Sequence, residues 1–307
     1  MYKVEQEIHS SPSILRQTLM RVADRDLRSA LQGPAVFIGC GTSNFVGMAA
    51  AALYEETSGF PAQGIMGSEY RPRRGWSHVA ISRTGQTTEL IEAMQQARSA
   101  GATVLLIEGE SHSPASAHAD LILPLEFAPE HGTIQTRFIS ASLLALRLLI
   151  GGAGAHSQLE SVPEQVAQGL AEFDPAPLAR FGHIVFLGRG WHYPLALAAA
   201  MNLQETAQIV PEAQQTLEYR HGPISCADPD TLVWCFDAPG DPASAAVLED
   251  VRRTGATGRC IAGDPQVALV QAQLLSVRVA EARGVDPDAP RNLVRAVVMP
   301  AGGVAAR

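Results

Sequence analysis

A stretch near the start of this chain returns near its middle, and that repeat constrains the fold more tightly than any single motif. VFIGCGTSNFVGMAAAALYEET, from Val36 to Thr57, and VFLGRGWHYPLALAAAMNLQET, from Val185 to Thr206, align at a constant offset of 149 and share Val-Phe, two glycines, a triple alanine and the closing Glu-Thr. Glu69-Tyr70-Arg71 recurs as Glu218-Tyr219-Arg220 at the same offset, and Gly101-Ala102-Thr103 as Gly255-Ala256-Thr257 after a further shift of five. Matches that keep their order along the chain mark a duplicated domain rather than two generic strand–loop–helix units.

Each copy alternates short apolar runs with helical patterns. In the first, Ala35–Ile38, His78–Ile81, Thr103–Ile107 and Leu121–Leu125 read as strands. An alanine-rich stretch to about Glu56, then Thr87–Ala100 and Thr136–Ile150, read as helices. The second copy repeats the strands near Ile184–Leu187, Leu232–Phe236 and Gly258–Ile261, and the Gly-, Pro- and Gln-rich stretch Gly151–Pro177 reads as a connection holding a helix. Buried strands separated by helices imply βαβ units and parallel sheets covered on both faces. The expected fold is therefore α/β, with two tandem flavodoxin-like three-layer α/β/α domains. Their expected bounds are 1–155, with an N-terminal helix, and 156–307, with a C-terminal tail. A chain of 307 residues is long enough for each half to bury its own core.

Composition narrows the partners. A formal charge of −8 argues against a nucleic-acid groove, which needs basic surface. A phosphorylated small molecule needs only a local cluster of donors, so it remains open to an acidic protein. Cys40, Cys226, Cys235 and Cys260 form no CxxC pair, which signals neither a metal site nor a disulfide framework. The start, MYKVEQEIHSS, is polar, and no stretch reaches the roughly 18 apolar residues of a membrane span. The expectation is a cytoplasmic protein with no cofactor, no metal and no membrane partner. Among its 23 basic residues the only lysine is Lys3.

In an open parallel sheet, ligands bind beyond the carboxyl ends of the strands, at the first turns of the following helices. Two such turns in the first half are rich in hydroxyls: Gly41-Thr42-Ser43, and ISRTGQTTEL, where Ser82, Thr84, Thr87 and Thr88 surround Gly85. Hydroxyls, open backbone N–H groups and the positive helix end make an anion cradle that needs no lysine, and Arg83 adds a charged donor. Taken singly, Thr84 or Thr87 reads equally well as a helix N-cap. GCGTS also passes for a weak dinucleotide loop, but Asn44 stands where the third glycine of GxGxxG belongs.

The second half replaces the hydroxyl loop by the acidic FDAPGDPAS. It carries Glu205 at a helix end and Glu212, Glu218 and His221 in PEAQQTLEYRHGP. A carboxylate with an imidazole suits proton transfer beside a carbonyl. Glu218 repeats Glu69 and Glu205 repeats Glu56, which leaves structural roles open for both. His131 and His192 read as loop histidines.

These residues resemble the sugar isomerase (SIS) domain family, and within it the tandem-SIS isomerase halves of glutamine–fructose-6-phosphate aminotransferases and the stand-alone phosphosugar isomerases and deaminases. EIHSSPSILRQTL is similar to that family's N-terminal helix, GCGTS and SRTGQT to its phosphate loops, and FLGRG, LQET and EYRHGP to its second-domain signature. DPDAPRNLVRAVV is similar to its tail motif. The resemblance implies that Thr42, Ser43, Ser82, Thr84 and Thr87 hold a sugar phosphate. It implies that Glu205 moves a proton between C1 and C2, and that His221 assists ring opening across a homodimer interface.

The chain departs from the family at several points. Arg83 and Gln86 stand where glutamine and glutamate are usual. No counterpart of the glutaminase domain is found in these residues, so glutamine is not the expected ammonia source. The family's tail lysine, which forms a Schiff base with the open sugar, is Arg295 here. Arginine stays protonated and forms no imine, which leaves Arg295 as an electrostatic donor to a developing enediolate. The expected function is an aldose–ketose isomerase or aminosugar-6-phosphate deaminase acting on a substrate of the fructose-6-phosphate or glucosamine-6-phosphate type. The alternative is a phosphosugar sensor without turnover, because a fold does not fix a function.

Overall fold

The structure is a computed structural model that describes residues 1–23 and 27–299. The strands in chain order are β1 Ala35–Gly39, β2 Ala62–Met66, β3 Ser77–Ser82, β4 Val104–Glu108, β5 Leu121–Pro124, β6 His183–Gly188, β7 Glu212–Gln215, β8 Thr231–Cys235 and β9 Thr257–Cys260. The α-helices are α1 Lys3–His9, α2 Ser11–Ala23, α3 Thr42–Ser58, α4 Thr88–Ser99, α5 Arg137–Gly151, α6 Ala155–Leu159, α7 Val162–Glu172, α8 Tyr193–Ala207, α9 Pro242–Arg253 and α10 Pro265–Ala282. The expected strands and helices are found within a residue or two of their expected ends. Two strands absent from the expectation, β2 and β7, lie at sheet edges. AQGIM and EAQQ are half-exposed there and carry too little apolar pattern to read as buried strands.

The chain forms two compact units that interleave along the sequence. One comprises Ser13–His131, Arg137–Glu160 and the tail from Val294; the other comprises Met1–Pro12, Gly132–Thr136 and Ser161–Leu293. The first holds a parallel sheet of order β2-β1-β3-β4-β5, the flavodoxin-like order, and the second a parallel sheet of order β7-β6-β8-β9.

Both sheets are covered on two faces, because their central strands are apolar on both. In the first unit Val36, Ile38, Ala80, Val104 and Leu106 pack against Leu90, Ala93, Met94 and Ala97 of α4. On the opposite face Phe37 meets Tyr54 of α3 edge to face at 6.2 Å. In the second unit Val185, Leu187 and Val233 pack against Val247, Leu248 and Val251 of α9, while Trp234 on the other face meets Phe173. Burying a side chain of this size contributes roughly 1.5–3 kcal/mol, so these faces hold each unit together. The repeated Glu-Tyr-Arg is part of this framework: Tyr70 and Tyr219 are both fully buried, and Tyr70 Oη lies 2.9 Å from His78 Nε2.

Candidate active site

In the first sheet the connections leave β1 and β3 toward opposite faces, which opens a crevice at the carboxyl ends of these two strands. The loops following them line it. Gly39 ends β1 so close to α3 that a Cβ would sit 2.6 Å from the Ser43 carbonyl carbon, and Gly41, at φ 57°, turns the chain into the helix. Gly85 (φ 59°) does the same for the second loop, where a Cβ would lie 1.9 Å from Ser113 Oγ. Ser113 is itself fixed by donating to the buried Glu108 carboxylate at 2.6 Å.

Thr42, Ser43, Ser82 and Thr84 are buried in this crevice and Thr87 lies half-buried at its edge. Ser82 Oγ accepts the Gly85 N–H at 2.9 Å and Thr84 Oγ1 accepts the Gln86 N–H at 3.3 Å. A hydroxyl that already accepts has its proton left to donate. Gly41 and Thr87, the N-cap residues of α3 and α4, make no side-chain capping bond. Neither helix start is therefore closed by a capping side chain, and the positive end of each helix favours an anion; in α4 the Thr88 N–H is taken by the Val297 carbonyl at 3.3 Å. Cys40 offers no nucleophile here, because burial pushes its thiol up to about 11.

The C-terminal tail is laced to the same loop. Buried Arg83 pairs with Glu130 at 3.2 Å and donates to the Arg295 carbonyl at 3.1 Å. Arg295 in turn pairs with Glu110 at 2.6 Å and donates to the Glu130 carbonyl at 2.7 Å. Thr88 donates its N–H to Val297 and accepts from the Met299 N–H at 2.8 Å. Thus Thr42, Ser43, Ser82, Arg83, Thr84, Thr87 and Arg295 all belong to one unit.

Glu205 and His221 belong to the other unit. Glu205 sits in the last turn of α8, before Gln208 ends the helix in a left-handed conformation at φ 55°. It lines an open cavity of about 500 Å³ with Gln204, Gln208, Arg291 and Asn292. Arg291 Nε donates to Gln208 Oε1, which ties the start of the tail to the helix end that carries Glu205. His221 closes a short turn, Glu218–His221, and is exposed like Glu218, while Arg220 pairs with Asp250 at 2.6 Å. His192 is more than a loop residue: its Nδ1 lies 3.3 Å from the buried carboxylate of Asp237. Among the described residues no group of three or more His, Cys, Asp or Glu is placed to hold a metal ion.

Sequence reasoning passed over Glu110, Glu130, Arg291 and Asp237. The first two lie in loops with no periodic signal, and their partners are far along the chain. Asp237 did leave a trace, as the acidic replacement of the hydroxyl loop.

The fold is that of a tandem α/β protein with hydroxyl-rich loops at the carboxyl ends of β1 and β3. The chain belongs to the SIS domain family, whose model matches residues 32–151 and 178–290. It is 29% identical to the glutamine–fructose-6-phosphate aminotransferase (isomerizing) of Methanothermobacter thermautotrophicus and 29% identical to that of Symbiobacterium thermophilum, with 95% of this chain aligned in each case. Those alignments take in 57% and 58% of the relatives, so the chain spans somewhat over half the length of these curated proteins. Among solved structures it is similar to glucosamine-6-phosphate deaminase from Thermotoga maritima, with a TM-score of 0.80, 25% identity, and 97% of this chain and 100% of that one covered. The tagatose-6-phosphate ketose/aldose isomerase of Escherichia coli shares the fold, with a TM-score of 0.82 at 17% identity and coverage of 98% and 97%.

Proposed function

We propose that the chain binds a hexose or hexosamine 6-phosphate and moves a proton between C1 and C2, as an aldose–ketose isomerase or an aminosugar-phosphate deaminase. The observation that carries this reading is the first-unit crevice: buried hydroxyls and two helix starts without side-chain caps converge where an open sheet takes its ligand. The likeness to the Thermotoga deaminase over that protein's whole length supports the deaminase form. In that form water supplies the ketose oxygen and ammonia leaves, so no glutamine is needed.

The roles follow from the chemistry of each group. Thr42, Ser43, Ser82, Thr84 and Thr87 donate to the phosphate, and Arg83, neutralised by Glu130, anchors the tail beside them. Glu205 is the base that carries the proton. Arg295 supports the developing enediolate by charge and forms no imine. His221, exposed on its own subunit, assists ring opening in the neighbouring subunit of a two-fold homodimer. The setting is cytoplasmic, and neither nucleic acid nor membrane is a partner.

Ammonia release and aldose–ketose conversion measured over a panel of hexose and hexosamine 6-phosphates test the proposal. Turnover should require the phosphate, and Glu205→Gln should abolish it while leaving binding intact. The pairing of Arg295 with Glu110 favours a second reading, a sensor whose arginine is held as structure. Thermal stabilisation by these sugar phosphates with no turnover of any of them would establish the sensor instead.

A further inference from the structure

The strand registers and the sequence repeat match positions of the two sheets, and the copies differ sharply where the proposed function puts a phosphate. Ile38 pairs across to Ala80 in the first sheet, and its repeat partner Leu187 pairs to Cys235 in the second. Two residues further on, Ser82 therefore corresponds to Asp237. The repeat offset of 149 likewise matches Ser43 to His192.

Asp237 is 3% exposed, and donors converge on its carboxylate from several loops. The Arg189 N–H reaches it at 2.8 Å, the Thr216 hydroxyl at 2.6 Å and His192 Nδ1 at 3.3 Å, and the Ser244 hydroxyl lies between it at 2.7 Å and Asp241 at 2.6 Å. A backbone N–H after the first strand, hydroxyls, and the first turn of the next helix are the same kinds of donor that line the first crevice. The helix start is closed as well. The N-cap of α9, Asp241, accepts the Ser244 N–H at 2.8 Å, whereas α4 has no side-chain cap.

We propose that Asp237, seconded by Asp241, is a specificity-determining residue: its carboxylate stands in for a ligand phosphate and shuts the second crevice to phosphate monoesters. This deepens the function proposed above and rests on the first crevice being the phosphate cradle. The second crevice keeps the donors of an anion site and spends them on an anion of its own. A phosphate entering there would find these donors engaged by Asp237 and Asp241, and the nearby Arg189 guanidinium already paired with Asp241 at 3.0 Å. The chain thereby takes one sugar phosphate where its duplicated fold offers two places.

Exchanging the corresponding residues tests this. The stoichiometry of inorganic phosphate and fructose 6-phosphate is measured by titration calorimetry on wild type, Ser82→Ala/Thr84→Ala, Asp237→Ser/Asp241→Ser and the combination of all four changes. Wild type should bind one equivalent, and the Asp-to-Ser variant two. The quadruple variant should bind one equivalent, now of inorganic phosphate at the second crevice. One equivalent in both wild type and a folded Asp-to-Ser variant overturns the inference while leaving the first cradle standing. A wild-type equivalent that survives Ser82→Ala/Thr84→Ala overturns the cradle assignment, and the inference with it. If Asp237→Ser/Asp241→Ser does not fold, Ser82→Asp makes the reciprocal exchange. It should lower phosphate affinity at the first crevice at least a hundredfold in a folded protein, and unchanged affinity overturns the inference.

Discussion

Arg83 and Glu130 form an ion pair with side-chain exposures of 3% and 0%, and both bond to Arg295 of the tail. Replacing Arg83 by Ala removes the Arg83 charge from the buried Glu130 carboxylate, which also accepts the Phe138 N–H at 3.1 Å. Breaking one side of a buried pair costs about 3–5 kcal/mol, because the remaining charge loses its compensation and cannot regain water. For a unit of this size that corresponds to a fall in melting temperature of roughly 6–20 °C. The same substitution removes the 3.1 Å bond to the Arg295 carbonyl, so the tail loses one of its anchors. Replacing both partners by apolar residues, Arg83→Met with Glu130→Leu, removes the stranded charge. It leaves the loss of ordinary hydrogen bonds, each worth about 0.5–1.5 kcal/mol, among them those to the Arg295 carbonyl and the Phe138 N–H. Urea titrations of wild type, Arg83→Ala, Arg83→Met, Glu130→Leu and the Arg83→Met/Glu130→Leu double variant, the last three closing a cycle with wild type, should thus give a double variant more stable than either Arg83 single variant. An Arg83→Ala protein within 1 kcal/mol of wild type, on the scale above, would refute the reasoning, and so would additive losses with no coupling in the cycle.

Other outcomes follow from the same geometry. Burial alone would raise the pKa of Asp237, but bonds from His192, Thr216, Ser244 and the Arg189 N–H outweigh it and hold the carboxyl well below the usual range. Its contribution is then complete above the unfolded value of about 3.9 and lost as pH falls below it, so Asp237→Asn should flatten the acid limb of a stability–pH curve; an unchanged limb contradicts this. Gly39→Ala drives a Cβ to 2.6 Å from the Ser43 backbone and should cost about 1–3 kcal/mol in a thermal melt while weakening phosphate binding, with unaltered binding as the contrary result. Arg295→Ala should lower turnover by about 10²–10³-fold, and borohydride added during wild-type turnover should leave no sugar adduct in the mass spectrum. A covalent adduct on Lys3 would overturn the electrostatic role given to Arg295.

Much of this could be read along the chain, for identifiable reasons. The central strands are buried on both faces, so their apolar runs are unbroken, and the duplicated glycines mark where each strand must turn tightly into a helix. The hydroxyl loops were legible because their donors are adjacent in sequence. What could not be read depends on contacts across long separations. Nothing in the spacing of Arg295 says that it pairs with Glu110 or that its carbonyl meets Arg83, 212 positions away. Nor does the sequence of LQETAQ reveal that Arg291 fastens the tail to the helix end carrying Glu205.

The mismatches between the copies carry more functional information than the matches. Identities such as Val-Phe, the paired glycines and the buried tyrosines are what any two copies must keep in order to fold. At Ser82 and Asp237 the fold makes the same demand, yet the side chains differ, so the difference reflects what each crevice must hold. A hydroxyl that accepts one backbone N–H still has a proton to give, and it suits a place where a ligand comes and goes. A carboxylate that accepts from one backbone N–H and three side chains has no proton to give, and it suits a place closed to a ligand. The Glu56 and Glu205 positions show the converse: the residue is the same, and its surroundings differ. Glu205 is half-buried at a cavity fenced by Arg291 and Asn292, whereas Glu56 is exposed on α3. Duplication supplied two strand-end crevices and two helix-end glutamates, and the proposed function uses one of each.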